Sequence, residues 1–257
     1  MTIATRDAYG ETLIELGREL KDLVVLDADL SQSTKTAGFA RLFPERFFNM
    51  GIAEANMMGT AAGLAAAGKI PFASTFAVFA TGRAYDQVRN SIAYPGLNVK
   101  ICATHAGITV GEDGASHQAL EDLALMRALP GMTVLVPADA PETSQIIKTV
   151  AEQKGPVYIR LGRSKVPVIN GEDYRFQLGH YETLRWGTDV TVFACGLMVA
   201  VALEAAELLA GKDIGVRVVN VSTIKPLNQD QIVQAAAQTG AVVTCEEHSV
   251  IGGVGSA

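Results

Sequence analysis

The chain has 257 residues and is poor in cysteine, with three, and in tryptophan, with one; aromatic residues make up only 6% of it. Cys102, Cys195 and Cys245 are odd in number, far apart and set in apolar runs, which excludes a disulfide framework or a zinc site and predicts buried, reduced thiols. No apolar run approaches the ~20 residues that span a bilayer, and residues 1–10 hold no apolar core of signal-peptide length, so a cytoplasmic, non-membrane protein is expected. Excess basic charge is also lacking. The 21 Lys and Arg are scattered against 27 acids, for a formal net charge of -6, and a nucleic-acid backbone is not an expected partner.

What is present is 49% hydrophobic residues arranged in short runs bounded by turn residues. Runs at 23–26, 70–73, 99–103, 133–136 and 157–160 alternate with helix-like stretches at 6–20, 54–67, 84–94, 119–127 and 141–153. Continuous apolar strands between amphipathic helices predict a mainly parallel sheet covered on both faces. The fold class is therefore α/β, in two domains, each a mainly parallel sheet flanked by helices. The first spans 1–167. Residues 168–187 change to Asn, Gly, Asp, Gln, Arg and Trp without helical period and read as a linker. The second domain, 188–257, predicts strands at 190–195, 216–220 and 241–246 and helices at 199–209 and 229–239.

Two segments carry chemistry. Thr104 to Gln118 packs two of the four histidines, His105 and His117, with Glu112, Asp113 and three glycines directly after an apolar strand, a composition suited to a polar pocket. Upstream, Glu54 in G-I-A-E-A-N-M is a lone acid opening an otherwise small, apolar helix. Such surroundings raise a carboxyl pKa and favour proton sharing, although an acid also suits a helix N-terminus by its dipole. Between them, Phe76 and Phe79 in S-T-F-A-V-F stand three residues apart after a strand and offer flat faces.

From Thr5 onward these motifs, in order with R-L-G-R and S-T-I-K-P-L, resemble the pyrimidine-binding half of transketolases, the thiamine diphosphate enzymes that move two-carbon ketol units between sugars. The resemblance implies that Glu54 is the acid beside N1′ of the aminopyrimidine, that Phe76 and Phe79 pack around that ring, and that Tyr85 joins the pocket, although the spacing around Gly82 departs from the family's. It implies that His105 lies in the sugar phosphate channel, Asp113 meets a substrate hydroxyl and His117 stands near the reacting carbons. Arg6, Ser33 and Arg163 occupy the family's phosphate-capturing positions, where arginine forks suit phosphate oxygens. Imidazole can shuttle protons near neutral pH and, when charged, bind phosphate. His180 is expected to be exposed and His248 to be a loop histidine.

The family holds Mg2+ through a Gly-Asp-Gly motif and a downstream Asn in its diphosphate-binding half, and Gly-Asp-Gly occurs nowhere here. The resemblance therefore implies the C-terminal subunit of a split transketolase, with the metal ligands on an N-terminal, diphosphate-binding partner subunit, sugar phosphates as substrates, and assembly as a dimer or heterotetramer. The glycine-rich run at 252–257 would feed another helix in the family's C-terminal domain, so an incomplete second domain is expected. A 1-deoxyxylulose-5-phosphate synthase-like or dehydrogenase β-type subunit, or a non-catalytic regulatory homologue, stands as the alternative.

Overall fold

A computed structural model describes residues 1–171 and 173–257. In chain order the first domain comprises β1 (Thr2–Ala4), α1 (Thr5–Glu19), β2 (Leu23–Asp27), α2 (Ser31–Thr34), α3 (Ala37–Leu42), β3 (Phe47–Asn49), α4 (Glu54–Ala66), β4 (Ile70–Phe76), α5 (Tyr85–Gln87), β5 (Lys100–Thr104), α6 (Asp122–Ala128), β6 (Thr133–Leu135), α7 (Ala140–Glu152), β7 (Val157–Arg160) and β8 (Lys165–Pro167). β9 (Glu182–Arg185), β10 (Val190–Ala194), α8 (Met198–Ala210), β11 (Val216–Asn220), β12 (Thr223–Lys225), α9 (Gln229–Ala237) and β13 (Ala241–Cys245) follow.

The main sheet runs β12-β6-β7-β5-β4-β2-β3 and is parallel except for β12, which pairs antiparallel with β6. Why its strands read as unbroken apolar runs is visible along β2. Leu23 and Val25 point into a core with Tyr9, Leu13 and Leu16 of α1 and Ile146, Ile147 and Val150 of α7. Val24 and Leu26 point the other way, onto Met57, Met58, Ala61 and Ala62 of α4. With period two and helices on both faces, every position is buried.

The second sheet runs β13-β10-β11-β9, with β9 antiparallel to β11. Residues 168–187, which read as a linker, thus contain a strand of this sheet. β12 belongs to the second half of the sequence yet completes the first sheet, where Lys225 Nζ donates to the Arg127 and Leu129 carbonyls at the end of α6. The two sheets are tied there.

The helix expected at 84–94 is mostly not α-helical. Phe79–Arg83 and Val88–Ala93 are π-helical on either side of the single α turn of α5. Cys102 and Cys195 are buried, but Cys245, on edge strand β13, is only half-buried. His248 lies in the loop after β13, as expected, but with a fully buried side chain; its Nδ1 donates to the Ser249 carbonyl and its Nε2 lies 3.9 Å from Asp122 Oδ1.

Candidate functional site

The parallel strands β4, β5 and β7 end at Phe76, Thr104 and Arg160, so the loops that follow gather at the carboxyl edge of the sheet, where open α/β sheets bind ligands. Four rings meet there. His105 stacks on Phe76 with centroids 3.8 Å apart, Phe76 lies near-parallel to Phe79 at 5.9 Å, and His117 meets Phe79 edge-on at 5.2 Å.

His105 is 2% exposed and holds φ at 57°, a left-handed conformation costing a non-glycine residue about 1–2 kcal/mol. Its neighbours fix its proton. A guanidinium has no lone pair, so Arg6 Nη1 donates to Nε2 at 3.2 Å, and Nδ1–H therefore donates to Thr104 Oγ1 at 2.9 Å. Burial, then the charges of Arg6, Arg163, His117 and Lys35, push its pKa down to about 3. His105 is thus a neutral hydrogen-bonding imidazole in this state.

Arg6 also donates to the Ser33 carbonyl at 3.0 Å, so it is the main chain of Ser33, rather than its hydroxyl, that meets the guanidinium. Burial pushes the Arg6 pKa down; Asp7 opposes this and the charge of Arg163 adds to it. Arg163 crosses from the loop after β7 to donate to the Val110 carbonyl and lies 3.4 Å from Glu112 and 3.9 Å from Asp113. Gly111, at φ 75°, permits that approach, since a Cβ there would run into Arg163 Nη1. Arg6, Ser33, His105, Asp113 and Arg163 therefore gather in one neighbourhood although 157 positions separate the two arginines in sequence.

Glu54 opens α4 at 4% exposure and meets Arg83 Nη1 at 3.2 Å. The same guanidinium lies 4.1 Å above the Phe79 ring, so Arg83 touches both groups expected to receive an aminopyrimidine. Tyr85 stands apart from the stacked rings: it packs half-buried on the core beneath, its hydroxyl 3.5 Å from the Leu125 carbonyl.

Sequence reasoning missed Arg83 and Glu247. Glu247 Oε1 accepts from Ile108 N at 2.7 Å and Thr109 N at 2.6 Å, clamping the histidine-bearing loop from the second domain. Gly107, at φ 80°, leaves room for that carboxylate. Arg83 was signalled only by lying four residues after Phe79, and Glu247 by nothing local. Among the described residues no group of three His, Cys, Asp or Glu side chains could hold a metal ion.

The family models for the transketolase pyrimidine binding domain and the transketolase C-terminal domain match residues 1–168 and 179–257. A protein of Methanocaldococcus jannaschii described as a transketolase C-terminal section is 55% identical over 98% of this chain and 79% of its own length. A 6-deoxy-6-sulfo-D-fructose transketolase subunit of Clostridium sp. is 47% identical over 98% of this chain and 78% of its own. A solved structure described as a split gene transketolase, inactive beta4 tetramer, is 62% identical, superimposes with a TM-score of 0.92, and is matched over 100% of this chain and 84% of its own. The chain belongs to the transketolase family.

Proposed function

We propose that this transketolase-family chain is the C-terminal subunit of a two-subunit enzyme that moves two-carbon ketol units from ketose phosphates to aldose phosphates. The observation that carries the reading is the meeting of Glu54, two phenylalanines and two histidines at one edge of the sheet, beside the cations Arg6 and Arg163.

The residues fit an aminopyrimidine. Phe76 and Phe79 are inclined by only 12° and present flat faces, and the buried Glu54 can share a proton with a ring nitrogen. Bound there with Mg2+, thiamine diphosphate would supply the carbanion chemistry at its thiazolium ring. Glu54 would hold the shared proton, Arg83 giving up the carboxylate as the ring arrives. His117 would exchange protons with the substrate at its reacting carbons. His105 would donate or accept a hydrogen bond as a neutral imidazole, and Arg6 and Arg163 would take the substrate phosphate. Asp113 would receive a substrate hydroxyl, and Tyr85 would back the pocket from below.

The partner subunit, supplying the diphosphate and Mg2+ ligands, is expected against the face around Glu54, where Ile52 is 76% and Tyr94 90% exposed beside the exposed glycines of α4. Two copies of each chain would form a heterotetramer, and the chain alone would self-associate through that surface. Calorimetric titration of the isolated chain with thiamine diphosphate and Mg2+ should show no micromolar binding. Light scattering should show a larger particle once a diphosphate-binding subunit is added. Tight binding by this chain alone, or a chain that stays monomeric with every such subunit, would overturn the proposal.

A further inference from the structure

Far along the chain from the histidine loop, the second domain holds a cavity of about 330 Å3 between β9, β11 and α9. Its floor is Arg217, the second residue of β11, only 6% exposed. Both hydrogen bonds of its guanidinium leave from Nη1, to Gln238 Oε1 at 2.6 Å and to the Ala235 carbonyl at 3.5 Å. Its Nε is buried and has no partner among the described residues. The Nε–Nη2 edge, the one that makes a side-on fork with an oxyanion, therefore meets no acceptor among the described residues. The same protein shows what that edge does when satisfied: Arg160 places Nε and Nη2 on Asp122 at 2.8 and 3.1 Å.

A buried donor left unpaired costs about 1–3 kcal/mol, more when charged, and such a group calls for a reason. The surroundings supply one. Trp186 lies with its ring 4.8 Å from the guanidinium carbon and is 72% exposed, a large apolar face held at the mouth of a polar cavity. Gln231 and Gln234 add amides to the wall, and the only acid lining it among the described residues, Glu182, stands 3.8 Å from His180 Nε2 at half exposure.

We propose that this cavity binds a small molecule bearing a flat ring and an oxyanion, carboxylate or phosphate, with the oxyanion on the Nε–Nη2 edge of Arg217 and the ring against Trp186. No residue of the Glu54 cleft takes part, so the site stands or falls independently of the ketol-transfer reading.

Trp186 is the chain's single tryptophan, so all tryptophan emission comes from the mouth of this cavity. Titration of the full chain with phenyl phosphate and with benzoate should give a saturable change below about 1 mM for at least one of them, and the tighter of the two identifies the oxyanion. Arg217→Lys keeps the charge and loses the fork, and should weaken binding about tenfold or more. Trp186→Phe, followed by calorimetry, keeps a ring while guarding against an unfolded Arg217 variant, and should retain binding. Saturation by neither anion, benzamide binding as tightly as benzoate, or an affinity unchanged in a folded Arg217→Lys chain would overturn the proposal.

Discussion

Two arginine–carboxylate pairs in the first domain use the same chemistry to opposite ends. Arg160 and Asp122, with side chains 6% and 0% exposed, form a two-point fork; Tyr158 adds a third donor to Asp122 at 2.7 Å, and Arg160 Nη2 also reaches the carbonyls of Ala119 and Glu247. Burial alone would push the Arg160 pKa down, but the Asp122 charge and its hydrogen bonds outweigh it and hold the guanidinium firmly protonated. Arg83 and Glu54 touch once, at 3.2 Å, with Arg83 54% exposed. A saturated pair has no reason to open, whereas a single contact half in water is replaceable. The first is a strut between α6, β7 and the second domain; the second, on the proposed function, would hold the place of a ligand.

The comparison is sharpest if the two acids fail differently. Glu54→Gln removes a proton carrier while keeping shape, and in the assembled enzyme should cost about 10² to 10⁴ in turnover with the melting curve unchanged; activity within twofold of the parent would remove Glu54 from the chemistry. Asp122→Ala should do the reverse, stranding a buried guanidinium and lowering unfolding free energy by about 3–5 kcal/mol in denaturant titration. A loss below ~1 kcal/mol would mean that the strut is ornamental.

Acid should strain the histidine end of the cleft before the strut. His105 titrates at about 3 when folded and at about 6.5 when unfolded, so below pH 6.5 the unfolded chain takes up a proton that the native chain refuses. Its contribution destabilises by about 1.4 kcal/mol for each pH unit from 6.5 down towards 3, and vanishes above 6.5. His105→Gln, which retains hydrogen bonding without titrating, should flatten the stability–pH curve in that window; an unchanged slope would place the acid sensitivity elsewhere. Smallest of all, Arg83→Ala should change stability by less than about 1 kcal/mol and leave cofactor affinity of the assembled enzyme equal or up to about fivefold tighter. Weaker binding would show that Arg83 holds the cofactor instead of its place.

Much of this is legible in the sequence alone. The continuous apolar runs located β2, β4, β5, β7, β10 and β11 within a few residues, because burial on both faces leaves few polar positions to blur them. The three-residue strands β1, β8 and β12 were not legible: they are too short to show a period, and their pairing partners lie far away in sequence, as Thr2 with Pro167 does. In the site, Glu54 stood out because the helix around it is apolar, and the histidine loop because its composition is dense in titratable groups. Arg83 and Glu247 did not, since their meaning lies in contacts across 29 and about 140 positions. The neutrality of His105 was likewise invisible, being set first by burial and then by neighbouring charges, Arg6, Arg163 and Lys35 among them, from separate segments.

The placement of β12 bears on how this molecule could be cut, grafted or recombined. A chimera that exchanged everything after the linker would import a foreign edge strand for the first sheet and a foreign Lys225 for the end of α6. A fragment stopping at residue 168 would leave β6 as a bare edge, open to pairing with another chain. The boundary that separates the two family models is therefore not a seam along which the folded protein can be parted. A graft that respects the architecture would carry residues 223–225 with the first sheet, as a matched insert, whichever parent supplies the rest.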